Sequence, residues 1–364
     1  MKSTRPHRAL CTKGVERPWD RRWQSSRVGI VRLVLVSALC LGACKSSDEK
    51  QKDLVKPVDG LQAVPAQVST VIAADVSSLA KQPLVRRAVG EMLHRDPELS
   101  KRVHDLAKEC KLEPGKDITG VVVAMGEPTG ASLLVVQGNF DEANLAACVG
   151  KSMASSGGEL TREAAGERVV YSAVGTAGQK PVYFSLGSDK TLVASSSRDM
   201  LREALGSGPK IAANRRMGEL LQRARKDSSL WAVGLVPDAV GKGLVGKAGV
   251  KKPPQAMVLA ASLGDGLKLE LAVEMVDDDD AKAATSLAKP QLAAASLVAQ
   301  KDGLGTVISR IEVAAESRWV VMSLELDKAE LGEILARVQR TVDRSPPPQQ
   351  NPPSKESPPS GEQE

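Results

Sequence analysis

An α+β fold is predicted for the body of this 364-residue chain, as two related halves of antiparallel or mixed sheet with helices on one face. Three observations predict it. Short β-rich runs come in pairs at hairpin spacing, helical patterns separate the pairs, and the same order of runs returns in the second half. Hairpins make antiparallel neighbours, and helices between them bury an apolar stripe on a sheet face. A ferredoxin-like split β-α-β unit is one form each half could take.

The elements follow in order. "VSTVIAADV" (Val68–Val76) reads as a strand. The helical pattern "LVRRAVGEMLHRDPELSKRVHDLAKEC" comes next, interrupted near Asp96-Pro97 because proline removes a backbone donor and clashes with the preceding turn. "ITGVVVAMG" (Ile118–Gly126) and "ASLLVVQGNF" (Ala131–Phe140) form a hairpin through Pro128-Thr129-Gly130. "DEANLAACVGKSM" opens with acids and continues at helical spacing, as a helix N-terminus should. Strands "ERVVYSAV", "PVYFSLG" and "KTLVASS" precede a helix, "SRDMLREALGSG", that glycine stops.

The plan then repeats. "SSLWAVGLVPDAV" (Ser228–Val240) matches "STVIAADVSSL", and "QAMVLAASLGDGLKLELAVEMVDDDDAKAATSL" matches the earlier strand, turn, strand and acidic helix start. Val121 to Asp141 and Met257 to Asp277 are both twenty residues apart. "TVISRIEVAAESRWVVMSLELDKAELGEILARV" supplies two strands and a helix, like Val169–Leu205. The boundaries are a first α+β unit at 61–225 and a second at 226–343. A diverged duplication accounts for this more economically than loose echoes within one α+β chain.

Composition narrows the function classes. The whole chain is formally +6, yet nine Lys/Arg and two acids precede Cys44, leaving 41 basic and 42 acidic residues after it. The basic character belongs to the leader, so no electrostatic footprint for nucleic acid exists in the body. Only Phe140, Tyr171, Tyr183, Phe184, Trp231 and Trp319 are aromatic after Cys44, too few for a base-stacking surface. The core must therefore be aliphatic.

The leader carries the most specific signal. From Leu33 to Ala43 the chain is an apolar run, with Ser37 its one polar residue, much shorter than the roughly 20 residues that span a bilayer. It stands behind positive charge and before small residues, as in a secretory signal. Leu41-Gly42-Ala43-Cys44 resembles the lipobox of bacterial lipoproteins: leucine three before the cysteine, small residues between. The resemblance implies a diacylglyceryl group on the Cys44 thiol, cleavage between Ala43 and Cys44, loss of residues 1–43, and acylation of the new amine by a fatty acid such as palmitate. An ordinary cleaved signal peptide is the alternative. Residues 1–27 exceed what a signal needs and read as an over-extended start. Lys45 is not the aspartate associated with inner-membrane retention, so the outer membrane is favoured, the body facing the periplasm or the cell surface.

Residues 44–60 read as the lipidated cysteine and a flexible tether, and 344–364, "RSPPPQQNPPSKESPPSGEQE", as a disordered Pro-rich tail that cannot build a core. Cys110 and Cys148 remain as an even pair. They read as a disulfide, or otherwise as two buried thiols.

Candidate chemistry is thin. The run Asp277–Asp280 lacks the spacing, glycine and distal glutamate of a calcium loop and reads as a helix start, where carboxylates offset the N-terminal partial charge. His94 and His104 sit in one charged helical segment without a nucleophile or metal partner. No Gly-x-Ser-x-Gly elbow or Walker spacing occurs. No catalytic, cofactor-binding or metal-ligating residue is assigned. Two function classes follow: a membrane-anchored, non-enzymatic binding or structural module for an envelope protein partner, or an exported hydrolase whose carboxylates sequence does not single out.

Overall fold

The structure, a computed structural model, describes residues 60–344 except 127–129, 166–167, 177–178, 187–189, 225–226, 238–239 and 242–251. The signal segment, Cys44, the tether up to residue 59, the turn residues Pro128 and Thr129, and the Pro-rich tail after Arg344 lie outside the described residues.

Among the described residues twelve strands form one antiparallel sheet: β1 (Val68–Asp75), β2 (Ile118–Gly126), β3 (Ser132–Gly138), β4 (Glu159–Ala165), β5 (Arg168–Val174), β6 (Val182–Leu186), β7 (Thr191–Ser195), β8 (Leu230–Leu235), β9 (Ala256–Leu263), β10 (Gly266–Glu274), β11 (Glu312–Glu316) and β12 (Trp319–Asp327). Between them run α1 (Val76–Lys81), α2 (Pro83–Arg95), α3 (Pro97–Cys110), α4 (Pro114–Asp117), α5 (Glu142–Ser155), α6 (Arg198–Leu205), α7 (Arg215–Arg223), α8 (Asp278–Ala299), α9 (Gly305–Ser309) and α10 (Lys328–Arg344).

The halves meet where β1 pairs with β8, from Thr70↔Gly234 to Ala74↔Leu230. Outward from this seam one side runs β1-β2-β3-β7-β6-β5-β4 and the other β8-β9-β10-β12-β11. The two orders mirror each other, apart from the additional β4–β5 hairpin. The ferredoxin-like alternative is corrected here. A split β-α-β unit leaves room for a strand between its two parallel strands, whereas β1 and β2 are direct antiparallel partners despite four intervening helices.

Residue alternation sorts the faces. On the front face Val71, Ala73, Val122, Leu133 and Val135 of the first half join Trp231, Val233, Val258 and Ala272 of the second in one buried cluster, covered by α6 and α7 through Met200, Leu201, Met217, Leu220 and Leu221. The back face carries two separate clusters. Val121, Val123, Val136 and Phe140 pack with Val76 of α1, and Val313, Val320 and Met275 pack with Ala281 of α8. Most helices lie on the back, as the sequence suggests, while α6 and α7 cross the front.

Helix starts are chemically marked. Asp96 accepts the Leu99 N–H at 2.9 Å, which places the break before α3, and Asp141, Ser197 and Asn214 cap α5, α6 and α7. Each cap satisfies a donor that the first helical turn leaves unpaired. Cys110 at the end of α3 and Cys148 in α5 are buried and disulfide-bonded, with Cα atoms 5.0 Å apart.

One charged group lies inside the front core. Glu274, fully buried at the end of β10, accepts from the Arg216 guanidinium of α7, and Arg318 Nε lies 2.8 Å from its other oxygen. Beside it Arg223 of α7 sits over the Trp319 ring at 4.5 Å and pairs with Glu316 at 3.0 Å. Thus α7, the last helix of the first half, is held to strands of the second.

Two stability predictions follow from this packing. Glu274→Ala should lower unfolding stability by about 2–4 kcal/mol in urea titration, somewhat less than a fully buried pair because both arginines keep part of their hydration. Cys110→Ser/Cys148→Ser should cost up to about 4 kcal/mol, since the bond closes a 38-residue loop in the unfolded chain.

Candidate functional site

In β10, Leu267, Leu269 and Leu271 alternate with Lys268 and Glu270; in β12, Met322, Leu324 and Leu326 alternate with Ser323 and Glu325. The leucines and methionine point to the back and the polar residues to the front. The registers set Lys268 between Ser262 and Glu325, and Ser323 between Glu270 and Glu312. Together they floor an open polar recess of about 500 Å³ on the front of the second half, walled by Ser228 and Arg310.

The recess exists because a helix is placed differently in the two halves. In the first, α6 follows β7 and buries Met200, Leu201 and Ala204 on the front. In the second, α10 follows β12, but its Arg337 donates to the Gly303 carbonyl beyond α8, which places it with the back helices. The outer part of the front face therefore stays bare, and its side chains are hydrophilic.

Lys268 Nζ lies 2.7 Å from Glu325, and Arg310 Nη1 lies 2.5 Å from Glu330. The Lys268 pair is well exposed, worth at most about 1 kcal/mol and open to exchange with a ligand's own charges, whereas Glu330 is half-buried and also accepts the Asp327 N–H. No histidine or cysteine is among the lining residues. Chemically the recess can hydrogen-bond a polar ligand carrying both signs of charge.

A smaller recess of about 190 Å³ adjoins the disulfide, lined in part by Lys111, Asp117, Asn139 and Asp141. Its oxygens hold the fold: Asp117 accepts the Glu113 N–H at 2.6 Å, Asp141 accepts the Asn144 N–H at 2.8 Å, and Asn139 accepts from Lys190 at 2.5 Å.

The acidic run is a helix start. Asp277 accepts the Asp280 N–H at 2.9 Å and pairs with Lys252 at 2.8 Å. Lys252, then the Asp280 amide, hold its carboxyl below the ordinary aspartate range, and the pairing raises Lys252 in turn. Among the described residues no cluster of three or more His, Cys, Asp or Glu is arranged to hold a metal. His94 and His104 are exposed on separate helices.

Two features were not anticipated. The Glu274 cluster carries a faint signal, a glutamate on the same sheet face as the buried Ala272. The recess carries a clearer one: Glu270, opposite Ala260, stands where the first half has Leu133 opposite Ala124, and Lys268 and Glu325 add charge further along β10 and β12.

These features define an α+β protein with one long sheet and a bare polar recess on its second half. No protein-family model and no curated protein matches the chain. Among solved structures, crystal form I of TP0453 is similar at 11% identity and a TM-score of 0.41, covering 77% of this chain and 97% of that one. Crystal form III gives 12% identity, a TM-score of 0.43, and 78% and 99% coverage. Crystal form IV gives 12%, 0.40, and 78% and 97%.

The Asp277 cap yields a pH prediction. A depressed carboxyl pKa contributes stability above its unfolded value and loses it as pH falls through the folded one. The stability advantage over Asp277→Ala should be complete at neutral pH and vanish in acid, below the ordinary aspartate range. Urea titrations of the two proteins from neutral to acid pH check it.

Proposed function

We propose that this chain is a lipid-anchored envelope lipoprotein whose body is a binding or structural module rather than a catalyst. The observation that carries the reading is Leu41-Gly42-Ala43-Cys44 at the end of a short apolar run, followed at once by charged, weakly apolar chain. Residues 1–43 are removed, Cys44 becomes the acylated first residue, and 45–60 tether the body. Two acyl chains or more on Cys44 hold a protein that one chain would bind only reversibly. Lys45 favours the outer membrane.

Within the body, 61–225 and 226–343 are two diverged copies, a reading supported by the mirrored strand orders about β1 and β8. The disulfide suits an oxidising compartment. Among the described residues no helix is long and apolar enough to cross a membrane. The recess over Lys268, Glu270 and Glu325 is the surface offered to a polar envelope partner. The hydrolase reading would rest on the same carboxylates, which have no histidine among the residues lining the recess.

Intact mass and membrane fractionation of the native protein beside Cys44→Ser test this. A mature chain that begins at acylated Cys44 and leaves the membrane fraction in the variant is expected. An unlipidated chain, cut elsewhere and soluble in both forms, would overturn the anchor.

A further inference from the structure

We infer that the outer side of α8 is a self-association surface, on which a second copy of this chain packs its own α8 antiparallel. The helix spans 22 residues and buries one side: Ala281, Thr285 and Ser296 are buried, with Ala284, Ala288 and Leu292 packed on the back core. The opposite side is apolar and bare. Leu287 is 38% exposed, Leu297 66% and Val298 72%, and Ala283, Pro290 and Ala294 are exposed between them. Leu297 and Val298 are the most exposed large apolar residues among those described. From Pro290 to Gln300 the sequence has no charge at all. Scattered apolar residues on a surface need no explanation, but a charge-free stripe along one helix side does.

Shape and charge both select a second copy as the occupant. With a two-fold axis between Pro290 and Gln291, antiparallel packing sets Leu287 against the partner's Ala294 and Val298 against the partner's Ala283. A large residue meets a small one at each level, as interlocking helices require. The same arrangement brings Lys301, just past the C-terminal end, towards the partner's Asp279 at the opposite end. Asp279 is almost fully exposed, its closest cation Lys282 at 3.8 Å. Opposed helix dipoles add to the match.

The stripe from Ala283 to Val298 is about 22 Å long. A contact of that length buries less than the ~1,000 Å² expected of a stable interface, so association in dilute solution is weak. Confining both copies to one membrane raises their effective concentration and drives pairing without any new contact. That enhancement rests on the lipid anchor proposed above; the surface itself does not.

Cross-linking through single introduced cysteines tests it, in native membranes and with the Cys44→Ser chain at about 100 μM, a concentration that substitutes for the anchor. Gln291→Cys, next to the axis, should form a disulfide-linked dimer under mild oxidation. Ala283→Cys alone should not, because its two copies stand about 22 Å apart. Mixed Ala283→Cys and Val298→Cys chains should cross-link. Adding Leu287→Asp and Val298→Asp to Gln291→Cys should reduce the yield at least tenfold while circular dichroism is unchanged, since both side chains are exposed. Equal cross-linking of Ala283→Cys and Gln291→Cys, or none by either at 100 μM, would overturn the pairing. So would loss of binding to phosphatidylethanolamine–phosphatidylglycerol vesicles by Leu287→Asp with cross-linking unaltered, which would make the stripe a lipid contact. Dimers of the concentrated Cys44→Ser chain without enhancement in membranes would keep the surface and count against the anchor alone.

Discussion

The pairing of β1 with β8 is the constraint from which the rest of the architecture follows. Either half alone would end in an unpaired central strand rich in valine and alanine, the kind of edge that invites aggregation. Joined, they place both strands mid-sheet, and the closeness of fit is visible at Gly234, where an added Cβ would sit 3.0 Å from the Thr70 hydroxyl. Once the seam is fixed, Val71 and Val233 share the front face with Val122 and Val258, so that face needs one core rather than two. The back face is free of this requirement. Its helices cluster separately over each half.

A single front core creates a second demand, since the chain must cross it when passing from one half to the other. Helix α7 does so, burying Met217, Leu220 and Leu221. Burial of apolar side chains is non-directional and would tolerate several angles of approach. The Glu274 carboxylate does not, because desolvating a charge is costly unless its partners arrive in one geometry. Arg216 comes from α7 and Arg318 from the turn before β12, so both counter-charges are in place when the last helix of the first half and the last hairpin of the second are both seated. We read the cluster as a registration device: it adds little net stability over an apolar equivalent and selects one docking of α7.

Much of this organisation is legible in the sequence, for identifiable reasons. β1, β2, β9 and β10 are readable because valine, isoleucine and leucine recur at strand spacing beside glycine or proline turns. The acids at Asp141 and Asp277 are readable as helix starts because capping is local chemistry. Strand β4, "ELTREAA", is not readable, because as an outer edge strand it exposes both faces and carries no apolar alternation. The short α7 is not readable because only nine residues are available to display its period. Strand order is non-local, and the split β-α-β alternative was open because sequence shows that β1 and β2 are separated by helices, not that they touch. The recess was hidden for a similar reason: charged residues alternating with leucine predict a solvated face, and its depth depends on which side α10 takes.

The two halves therefore divide the work unequally. The first closes its front with α6, ties α3 to α5 through the disulfide, and extends its sheet by the β4–β5 hairpin, whose Arg162 and Glu163 discourage further strand addition. The second moves its last helix to the back, which bares the polar recess, and carries α8 with an apolar outer side. Closing either surface would have been simple: a helix like α6 on the front, or lysine and glutamate along α8 as on α3. Exposed apolar area costs solubility, and a bare sheet face forgoes burial. Both costs fall on the second half, so the two surfaces on which the proposed contacts rest lie together, on the half that neither α6 nor the disulfide closes.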